Sequence, residues 1–389
     1  MADRLRPAWA EIDVGAAQRN ASLLGRLVGP SELCAVVKAD GYGHGAVALA
    51  QAALAGGAGW LAVALVEEGV ALREAGIEVP ILLLSEPPVA AMGEALACRL
   101  VPTVYSSEGV RALGQAAANG THGLVDVHLK VNTGMHRVGA DPERTVALAT
   151  AIAADPQLRL AALWTHLAVA DGVTKADLEF TRDQLARFRA AHDELLAAGL
   201  RPPLSHVANS AGAIAFPEAR LDMVRCGIAL YGLSPTPELA AQLSDATGGG
   251  RLEPVLSLRA QVSMCRWLDK GERPSYGRRR PLDDRSMVAT VPLGYADGVP
   301  RRLFDTGGEV LIGGVRRPLA GVVTMDQIVV DCGAGDPEVH PGDEVVMIGR
   351  QGGEEITATE WADRLGTINY EVVCGIGPRV PRLAVGADG

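Results

Sequence analysis

The chain has 389 residues, of which 48% are hydrophobic and 21% are charged, and its formal net charge is −10 at pH 7. This composition is typical of a globular protein with a hydrophobic core, and it excludes a disordered chain, a collagen and a small disulfide scaffold. The acidic balance, without a basic stripe, argues against a nucleic-acid partner. No apolar run approaches the ~20 residues of a membrane-spanning helix, and the length favours two domains.

The cysteines and the first residues indicate a cytoplasmic protein. Six cysteines lie far apart without a C-x-x-C motif, which is typical of reduced thiols rather than of a disulfide framework or a zinc site. The opening segment MADRLRPAWAEID is charged and lacks the apolar stretch of a signal peptide. We therefore expect a cytoplasmic location and no metal.

Over the first 235 residues, short apolar runs alternate with segments rich in Ala, Leu, Glu and Arg. The alternation predicts a parallel sheet covered by helices on both faces. Eight strand–helix units in ~250 residues fit a (β/α)8 barrel, whereas the first turn, KADGYGHG, lacks the G-x-G-x-x-G of an open doubly wound sheet. The predicted strands cover residues 33–38, 60–65, 81–85, 100–105, 125–131, 160–167, 204–209 and 223–231, and the predicted helices include 44–55, 67–75, 106–118, 141–154 and 176–198.

A second, β-rich domain is predicted after the barrel. Residues 234–254 are rich in Pro, Gly, Ser and Thr and are interpreted as a linker. From 255 to 350 the runs are β-type and are separated by Gly, Pro and Asp turns, with one helix expected near 357–365. The predicted architecture is therefore α/β, with a barrel of residues 10–235 and a mostly antiparallel β domain of residues 236–389 that also includes residues 1–9.

Lysine is rare in this chain, so its positions are informative. Of the 36 basic residues, 32 are arginine and only four are lysine. Lys175 and Lys270 have polar neighbours, but Lys38 and Lys130 interrupt the apolar runs AVVKAD and VDVHLKV. Because a desolvated lysine can lose its proton whereas arginine stays charged, these two lysines are candidates for a base or a Schiff-base nucleophile.

Polar residues cluster near the carboxyl ends of the predicted barrel strands, where barrel enzymes carry their active sites. Five of the eight strands carry such residues, namely Lys38, Lys130, His166, His206 with Asn209 and Ser210, and Arg225 with Gly227. Ser210 opens a predicted helix after the seventh strand, a place that suits a phosphate. A Schiff-base lysine beside a phosphate site favours pyridoxal phosphate (PLP). A class I aldolase, in which the phosphate belongs to the substrate, fits these residues nearly as well.

The motifs of almost the whole chain, from about Trp9 to Arg382, resemble those of alanine racemases. AVVKADGYGHGA resembles the PLP-lysine signature of that family, and further blocks occur in family order: HLKVNTGMHRVG, WTHLAVAD, HVANSAG, MVRCGIALYG, VPLGYADG, TMDQ, GDEVVMIG and GTINYEVVCGIGPRVPR. The resemblance implies PLP as cofactor, a head-to-tail homodimer, and interconversion of L- and D-alanine that supplies D-alanine for cell-wall precursors.

The resemblance also implies roles for individual residues. Lys38 would bind PLP covalently and serve as one catalytic base, and Tyr295 of the partner chain would be the opposite base. The cofactor would be held by Tyr42, His166, Asn209, Ser210, Arg225, Gly227, Ile228 and Tyr370, with Arg225 facing the pyridine nitrogen and supported by His206 and His166. The substrate side would comprise Arg137, Met325 and Asp326. Lys130 matches a family lysine that is often carbamylated and held against Arg137.

Two bases on opposite faces are what racemisation needs, because one removes the Cα proton and the other returns a proton to the opposite face. Lysine and tyrosine have unperturbed pKa values of ~10.4 and ~10, so burial and nearby cations must lower them. An arginine at the pyridine nitrogen cannot give up a proton. PLP is then a weaker electron sink, which favours a racemase over a decarboxylase.

The sequence departs from the family pattern at Asn132, Cys226, Arg280, Val322 and Thr324. Asn132 replaces the usual Asp and removes a carboxylate two residues from Lys130. None of the five is a proposed base or phosphate contact, so they bear on substrate range rather than on reaction class.

The alternative functions are a racemase of another small amino acid, such as serine, and a PLP-binding homologue without catalysis. Asp297 and Arg301 are expected to pair near Tyr295.

Overall fold

The computed structural model describes residues 5–120, 123–335 and 338–386, which form two compact units. The barrel unit comprises residues 16–41 and 45–253, and the β unit comprises the described residues of 1–15, 42–44 and 254–389. This division differs from the predicted boundaries in three places. Residues 10–15 and 42–44, expected in the barrel, belong to the β unit, and residues 236–253, expected in the β-rich domain, belong to the barrel unit. The predicted domain ends at residues 1–4 and 387–389 lie outside the described residues.

Eight parallel strands form the wall of the barrel unit. Strand β1 (Ala8–Asp13) precedes them and belongs to the β unit. The barrel strands are β2 (Glu32–Val36), β3 (Trp60–Val63), β4 (Ile81–Leu83), β5 (Thr103–Val104), β6 (Val125–Lys130), β7 (Leu158–Trp164), β8 (Leu204–His206) and β9 (Met223–Cys226). They pair in the orders β4-β3-β2-β9 and β5-β6-β7-β8. A bridge between Leu82 and Val101 joins the two groups on one side, and the 3.0 Å hydrogen bond from Arg225 N to Ala208 O joins them on the other. The strands therefore close into the expected (β/α)8 barrel.

Burial on both faces explains why these strands are nearly all apolar. Every residue of β4 and β9 is buried, including Arg225. Leu61, Leu82 and Val224 have no exposed surface. A strand that is covered on both faces cannot alternate between polar and apolar residues. A polar side chain inside such a strand therefore needs a specific partner or a function.

Helices connect the barrel strands. Their bounds are α1 (Val14–Val28), α2 (Lys38–Tyr42), α3 (Ala46–Ala55), α4 (Val66–Glu74), α5 (Met92–Ala97), α6 (Ser107–Ala118), α7 (Pro142–Ala154), α8 (Lys175–Ala197), α9 (Ser210–Ala215) and α10 (Pro237–Ala246). Helix α10 lies inside the segment that was interpreted as a linker, so that interpretation is wrong for its first half. Thr236 caps α10 by accepting a hydrogen bond from Leu239 N, and Pro237 occupies the first turn. Both are signals of a helix start rather than of a linker.

The β unit contains two mostly antiparallel sheets, as expected. Its further strands are β10 (Leu256–Gln261), β11 (Met264–Leu268), β12 (Ser286–Val291), β13 (Glu309–Ile312), β14 (Val315–Pro318), β15 (Ile328–Gly333), β16 (Glu344–Gln351), β17 (Glu354–Ile356) and β18 (Arg382–Val385). One sheet has the order β14-β13-β16-β10-β1-β18, with β17 paired to β16, and the other has the order β11-β12-β15. The pairing of β1 with β18 is parallel.

Long-range pairing explains why the N-terminal strand belongs to the β unit. Ala10 of β1 pairs with Leu258 of β10 on one side and with Arg382 of β18 on the other. Helix α11 (Ala358–Leu365) matches the helix predicted near 357–365, and α12 (Asn369–Cys374) follows it. In the described part of the chain, no helix combines the length and the apolar character needed to span a membrane.

Candidate active site

Lys38 begins the turn α2, directly after the apolar strand β2. Ala39, Asp40 and Gly41 have φ angles of 53°, 50° and 61°, a left-handed conformation that costs an L-residue roughly 1–2 kcal/mol. One carboxylate oxygen of Glu68 accepts a hydrogen bond from Ala39 N at 2.6 Å, and the other accepts from two backbone amides at the start of α4. The Asp40 carboxylate accepts from the first amide of α3 at 2.9 Å. These bonds hold the strained turn that follows Lys38.

Arg225 lies on β9 with its guanidinium buried. Its Nη1 lies 2.7 Å from Nδ1 of His206, and its Nη2 lies 3.3 Å from Nδ1 of His166. Nη2 also donates to the carbonyls of Thr165 at 2.8 Å and Val207 at 3.1 Å. Burial lowers the pKa of Arg225 to about 10, which leaves it charged at pH 7. A buried cation thus has imidazoles and carbonyls, and no carboxylate, among its hydrogen-bond partners in the described residues.

Two further side chains extend this buried cluster. His206 Nε2 lies 3.1 Å from Nδ1 of His128, and the Trp164 ring stacks on His206 with ring centroids 5.2 Å apart. Burial and the Arg225 charge hold the pKa of His206 well below its ordinary value, and burial lowers the pKa of His128 to about 3. Both imidazoles are therefore neutral at pH 7. His128 was not among the predicted site residues, although it shares a strand face with Lys130, two residues later on β6.

Lys130 is 4% exposed. Its Nζ donates to the Leu84 carbonyl at 3.3 Å and lies 4.1 Å from the centroid of the Trp164 ring. Burial, followed by the charges of Arg225, Arg137 and Lys38, lowers the pKa of Lys130 to about 7. The same charges, together with burial, hold the pKa of His166 well below its ordinary value. The structure therefore gathers the four predicted cations of the barrel unit, Lys38, Lys130, Arg137 and Arg225, into one electropositive region.

The segments after β8 and β9 hold four of the predicted cofactor contacts. Ser210 begins α9, and its Oγ accepts from Gly227 N at 2.9 Å. Asn209 caps the same helix by accepting from Gly212 N at 2.9 Å. Ile228 opens the short turn that follows Gly227. Since Ser210 Oγ accepts here, its own hydrogen remains available for another acceptor.

Two further predicted phosphate contacts meet in the β unit. The ring centroids of Tyr42 and Tyr370 are 6.2 Å apart, with the planes tilted by 47°. The carbonyl of Gly43 accepts from Arg382 Nε at 2.9 Å. Gly43 has a φ of +80°, and a Cβ there would lie 2.6 Å from the carbonyl oxygen of Val373 on α12. Glycine is therefore required beside Tyr42, because a side chain would push this loop away from the helix that carries Tyr370.

The remaining predicted residues also lie together in the β unit. Tyr295 opens the short turn Tyr295–Asp297, and its backbone N–H donates to the Thr324 carbonyl at 2.9 Å. The N–H of Ala296 donates to the Met325 carbonyl at 3.0 Å, so the turn is attached to the segment that contains Met325 and Asp326. The Tyr295 and Met325 side chains are 43% and 53% exposed.

The expected pairing of Asp297 with Arg301 is wrong. Asp297 is fully buried, and its carboxylate pairs with Arg6 at 2.8 Å and with Arg379 at 3.4 Å. These partners come from residues far away in the chain, so no local spacing could indicate them. Asp297, like Glu68 and His128, was absent from the predicted site.

Two of the departures from the family pattern have local explanations. Asn132 Oδ1 accepts from the backbone N–H of Gly134 and His136 at 3.2 and 3.0 Å, so this side chain stabilises its own loop. Thr324 Oγ1 donates to the Gln327 carbonyl at 2.7 Å and closes the turn before β15. None of these hydrogen bonds involves a proposed base.

Comparison with known protein families assigns both parts of the chain. Residues 12–235 match the alanine racemase N-terminal domain, and residues 255–384 match the alanine racemase C-terminal domain. The chain is 46% identical over 384 residues to an alanine racemase of Symbiobacterium thermophilum, with 98% of each chain covered. It is 42% identical over 383 residues to an alanine racemase of Thermobifida fusca, again with 98% of each covered.

Solved structures give the same assignment. A Bacillus anthracis alanine racemase with bound L-Ala-P superposes with a TM-score of 0.90 at 35% identity, covering 100% of this chain and 97% of that one. An alanine racemase of Streptomyces coelicolor superposes with a TM-score of 0.89 at 38% identity, covering 99% and 100%. Matches that extend over both units at these identities identify the family, and the chain belongs to the alanine racemase family.

Proposed function

We propose that this chain interconverts L- and D-alanine with PLP as its cofactor, through Lys38 and Tyr295 as two bases. The reaction follows from its family membership. The structural observation that supports PLP and Lys38 is the electropositive region around Lys38, in which the charges acting on Lys130 are all cations. Supply of D-alanine for cell-wall precursors in the cytoplasm is the proposed physiological role.

PLP fits the residues of the barrel unit. Its phosphate and phenolic oxygen are anionic, and Lys38, Lys130, Arg137 and Arg225 would compensate this charge. The Ser210 hydroxyl and the backbone N–H of Ile228 would donate to the phosphate. Arg225 has donors but no acceptor, so it would accommodate an unprotonated pyridine nitrogen and exclude a protonated one.

The protein residues would move the protons. When bound, PLP supplies an electron sink that stabilises the negative charge left at Cα. The Lys38 amine would take or return the Cα proton on one face of the substrate, and the Tyr295 phenol would do so on the other. Arg225 would keep the sink weak, because it cannot transfer a proton to the ring. A weak sink would disfavour transamination.

A homodimer with shared active sites is the proposed assembly. A side chain that is 43% exposed, such as Tyr295, faces water and cannot exclude it from a proton transfer. The apolar side chains of Met325 and Ile368 in the same unit are 53% and 59% exposed, which favours a covering partner. A second copy of the chain would dehydrate Tyr295 and bring it to a cofactor.

Lys130 is proposed to carry a carbamate. Its neutral amine would attack CO2 to form the N–C bond and release one proton, and the product is an anion. A pKa of about 7 leaves much of this amine neutral at physiological pH. The carbamate would pair with Arg137 and fix its guanidinium.

The reaction is tested by chiral chromatography of L-alanine, D-alanine and L-serine after incubation with the PLP-loaded protein. Racemisation of both alanine enantiomers, with much slower turnover of serine, is expected. Lys38→Ala is the control and should lose both the absorbance of the lysine-bound cofactor and the activity. Faster turnover of serine would support the alternative substrate. Cofactor absorbance without turnover of any amino acid would support a non-catalytic PLP-binding protein.

The shared active site is tested by mixing two inactive variants, Lys38→Ala and Tyr295→Phe. If subunits reassociate at random, half of the dimers are mixed, and each mixed dimer contains one site with both wild-type bases. Activity should therefore recover to about one quarter of the wild-type value. No recovery, despite subunit exchange, would contradict an active site built from two chains.

A further inference from the structure

Asp297 provides a buried anchor for the turn that begins at Tyr295. Its side chain has no exposed surface. One carboxylate oxygen accepts from Gly294 N at 3.0 Å, and the other accepts from Arg6 Nη1 at 2.8 Å. Arg379 Nε lies 3.4 Å from that second oxygen. A carboxylate that is removed from water and held by two guanidiniums is fixed in orientation.

The backbone around Asp297 is equally constrained. Its carbonyl accepts from Gly377 N at 3.0 Å. A Cβ on Gly298 would lie 2.4 Å from the carbonyl oxygen of Gly375, so the turn is in close contact with the segment 375–377. A Cβ on Gly294 would lie 2.3 Å from the carbonyl oxygens of residues 324 and 325. The backbone of Tyr295 therefore cannot shift without breaking these contacts.

Arg379 connects the same anchor to a second predicted substrate contact. Its Nη2 donates to Asp326 Oδ1 at 2.8 Å. Arg379 and Asp326 are 46% and 58% exposed in their side chains, and an exposed pair of this kind contributes little to stability. Its effect is on geometry, because the Arg379 guanidinium bridges the carboxylates of Asp297 and Asp326.

We infer that Asp297, clamped by Arg6 and Arg379, is a positioning residue that orients the phenol of Tyr295 for proton transfer. The inference rests on the proposed role of Tyr295 as a base. Asp297 does not touch the reacting atoms; it fixes the turn whose first side chain does. Loss of its charge would remove the carboxylate that Arg6 and Arg379 share and would loosen that turn.

The test measures loss of the Cα proton in D2O, separately for L- and D-alanine, by NMR. With two bases on opposite faces, each enantiomer loses its proton to a different base. Tyr295→Phe should abolish proton loss from one enantiomer and leave Lys38-dependent exchange of the other. Asp297→Asn should slow proton loss from that same Tyr295-dependent enantiomer by between about 10- and 100-fold, the penalty of a displaced catalytic group. The other enantiomer should change by less than about twofold, with unchanged cofactor absorbance.

Two further variants complete the experiment. Glu309→Gln is the matched control, because Glu309 also lies between two arginines of the β unit, Arg316 at 3.2 Å and Arg364 at 2.8 Å; it should leave both rates unchanged. Arg6→Gln removes one partner of Asp297 and should give a smaller slowing of the same enantiomer, which keeps the test available if Asp297→Asn does not fold.

Equal slowing of both enantiomers by Asp297→Asn or Arg6→Gln, or no slowing of either, would overturn the positioning role. Unchanged proton loss from both enantiomers in Tyr295→Phe would instead refute Tyr295 as a base, so the two failures are distinguishable.

Discussion

The Arg225 guanidinium donates a hydrogen bond to Nδ1 of His206 over 2.7 Å. Because a guanidinium has no acceptor, Nδ1 of this neutral imidazole is unprotonated and its hydrogen lies on Nε2. That N–H donates to Nδ1 of His128, 3.1 Å away. The hydrogen of His128 therefore lies on Nε2, a buried atom without a hydrogen-bond partner in the described structure. Arg225 thus sets the tautomers of two imidazoles, and its charge contributes to lowering the pKa of both.

The substitution His128→Gln should reduce proton uptake when the protein unfolds in acid. The native pKa of His128 is lowered by burial from 6.5 to about 3, so at pH 5 the group is neutral in the native state and protonated in the unfolded state. Its contribution to stability is complete above pH 6.5 and is lost as the pH falls toward 3, at about 1.4 kcal/mol per pH unit for one proton. Potentiometric measurement of urea unfolding at pH 5 should find about one proton fewer per chain.

Asn119→Gln, at an exposed position of the barrel unit, is the control for this measurement; it changes no titratable group and should leave the uptake difference at its wild-type value. Wild-type uptake in His128→Gln would mean that His128 is already charged in the native protein.

The substitution Gly294→Ala should lower racemase activity about 100-fold while the protein keeps its cofactor. The new Cβ would lie 2.3 Å from the carbonyl oxygens of Thr324 and Met325, and backbone atoms cannot move aside as a flexible side chain can. The turn that carries Tyr295 would shift, and a displacement of about 1 Å at a catalytic group costs about 100-fold in rate. Gly353→Ala, in the same unit with no atom within 4 Å of the added Cβ, should retain full activity. An active Gly294→Ala protein would show that the turn tolerates displacement.

The barrel could be predicted from the sequence because its strands are buried on both faces and therefore form continuous apolar runs. The predicted boundary at residue 10 divides strand β1, because its partners, β10 and β18, lie far away in the chain and local pattern carries no information about such pairing. The segment of helix α10 was predicted to be a linker because Thr236 and Pro237 are also typical of turns, although here they stand at the start of a helix.

The residues of the candidate site likewise divide into those that the sequence pattern indicates and those that it does not. Lys38, Lys130 and Arg225 could be selected from the sequence because a polar side chain at the end of a buried strand is conspicuous. Tyr295 lies in a turn of the β unit, where tyrosine is unremarkable, and only the family resemblance indicated it. Asp297 had no usable signal, since Arg6 is 291 residues away.

Glu68→Gln should weaken the attachment of the cofactor. The Glu68 carboxylate accepts hydrogen bonds from three backbone amides, including that of Ala39 next to Lys38, and a carboxamide can accept with only one oxygen. An unsatisfied amide costs ~1–3 kcal/mol, so the left-handed turn should open more often and PLP loss should become about 10-fold faster. The rate is measured by loss of cofactor absorbance during dialysis. Glu67→Gln, at an exposed neighbouring position, is the control. Equal cofactor retention in the two variants would exclude this role for Glu68.

Carbamylation of Lys130 should depend on pH in a way that separates it from the other lysines. With a pKa of about 7, about nine-tenths of the Lys130 amine is neutral at pH 8. An exposed lysine with a pKa of ~10.4 is less than about 1% neutral at that pH. Because only the neutral amine reacts with CO2, raising the pH from 6 to 8 at constant dissolved CO2 should increase the carbamate at Lys130 and leave the exposed lysines unmodified.

The measurement is 13C NMR of the protein under 13CO2, which detects the carbamate carbon directly. The wild-type signal should grow between pH 6 and pH 8 and reach about one carbamate per chain, since Lys130 is the buried member of only four lysines. Lys130→Met should lack the signal, and Lys175→Arg, which replaces a lysine whose side chain is 89% exposed, should retain it. Activity in CO2-depleted buffer should recover on adding bicarbonate in the wild type but not in Lys130→Met. A signal that survives Lys130→Met, or activity indifferent to bicarbonate, would contradict a functional carbamate at Lys130.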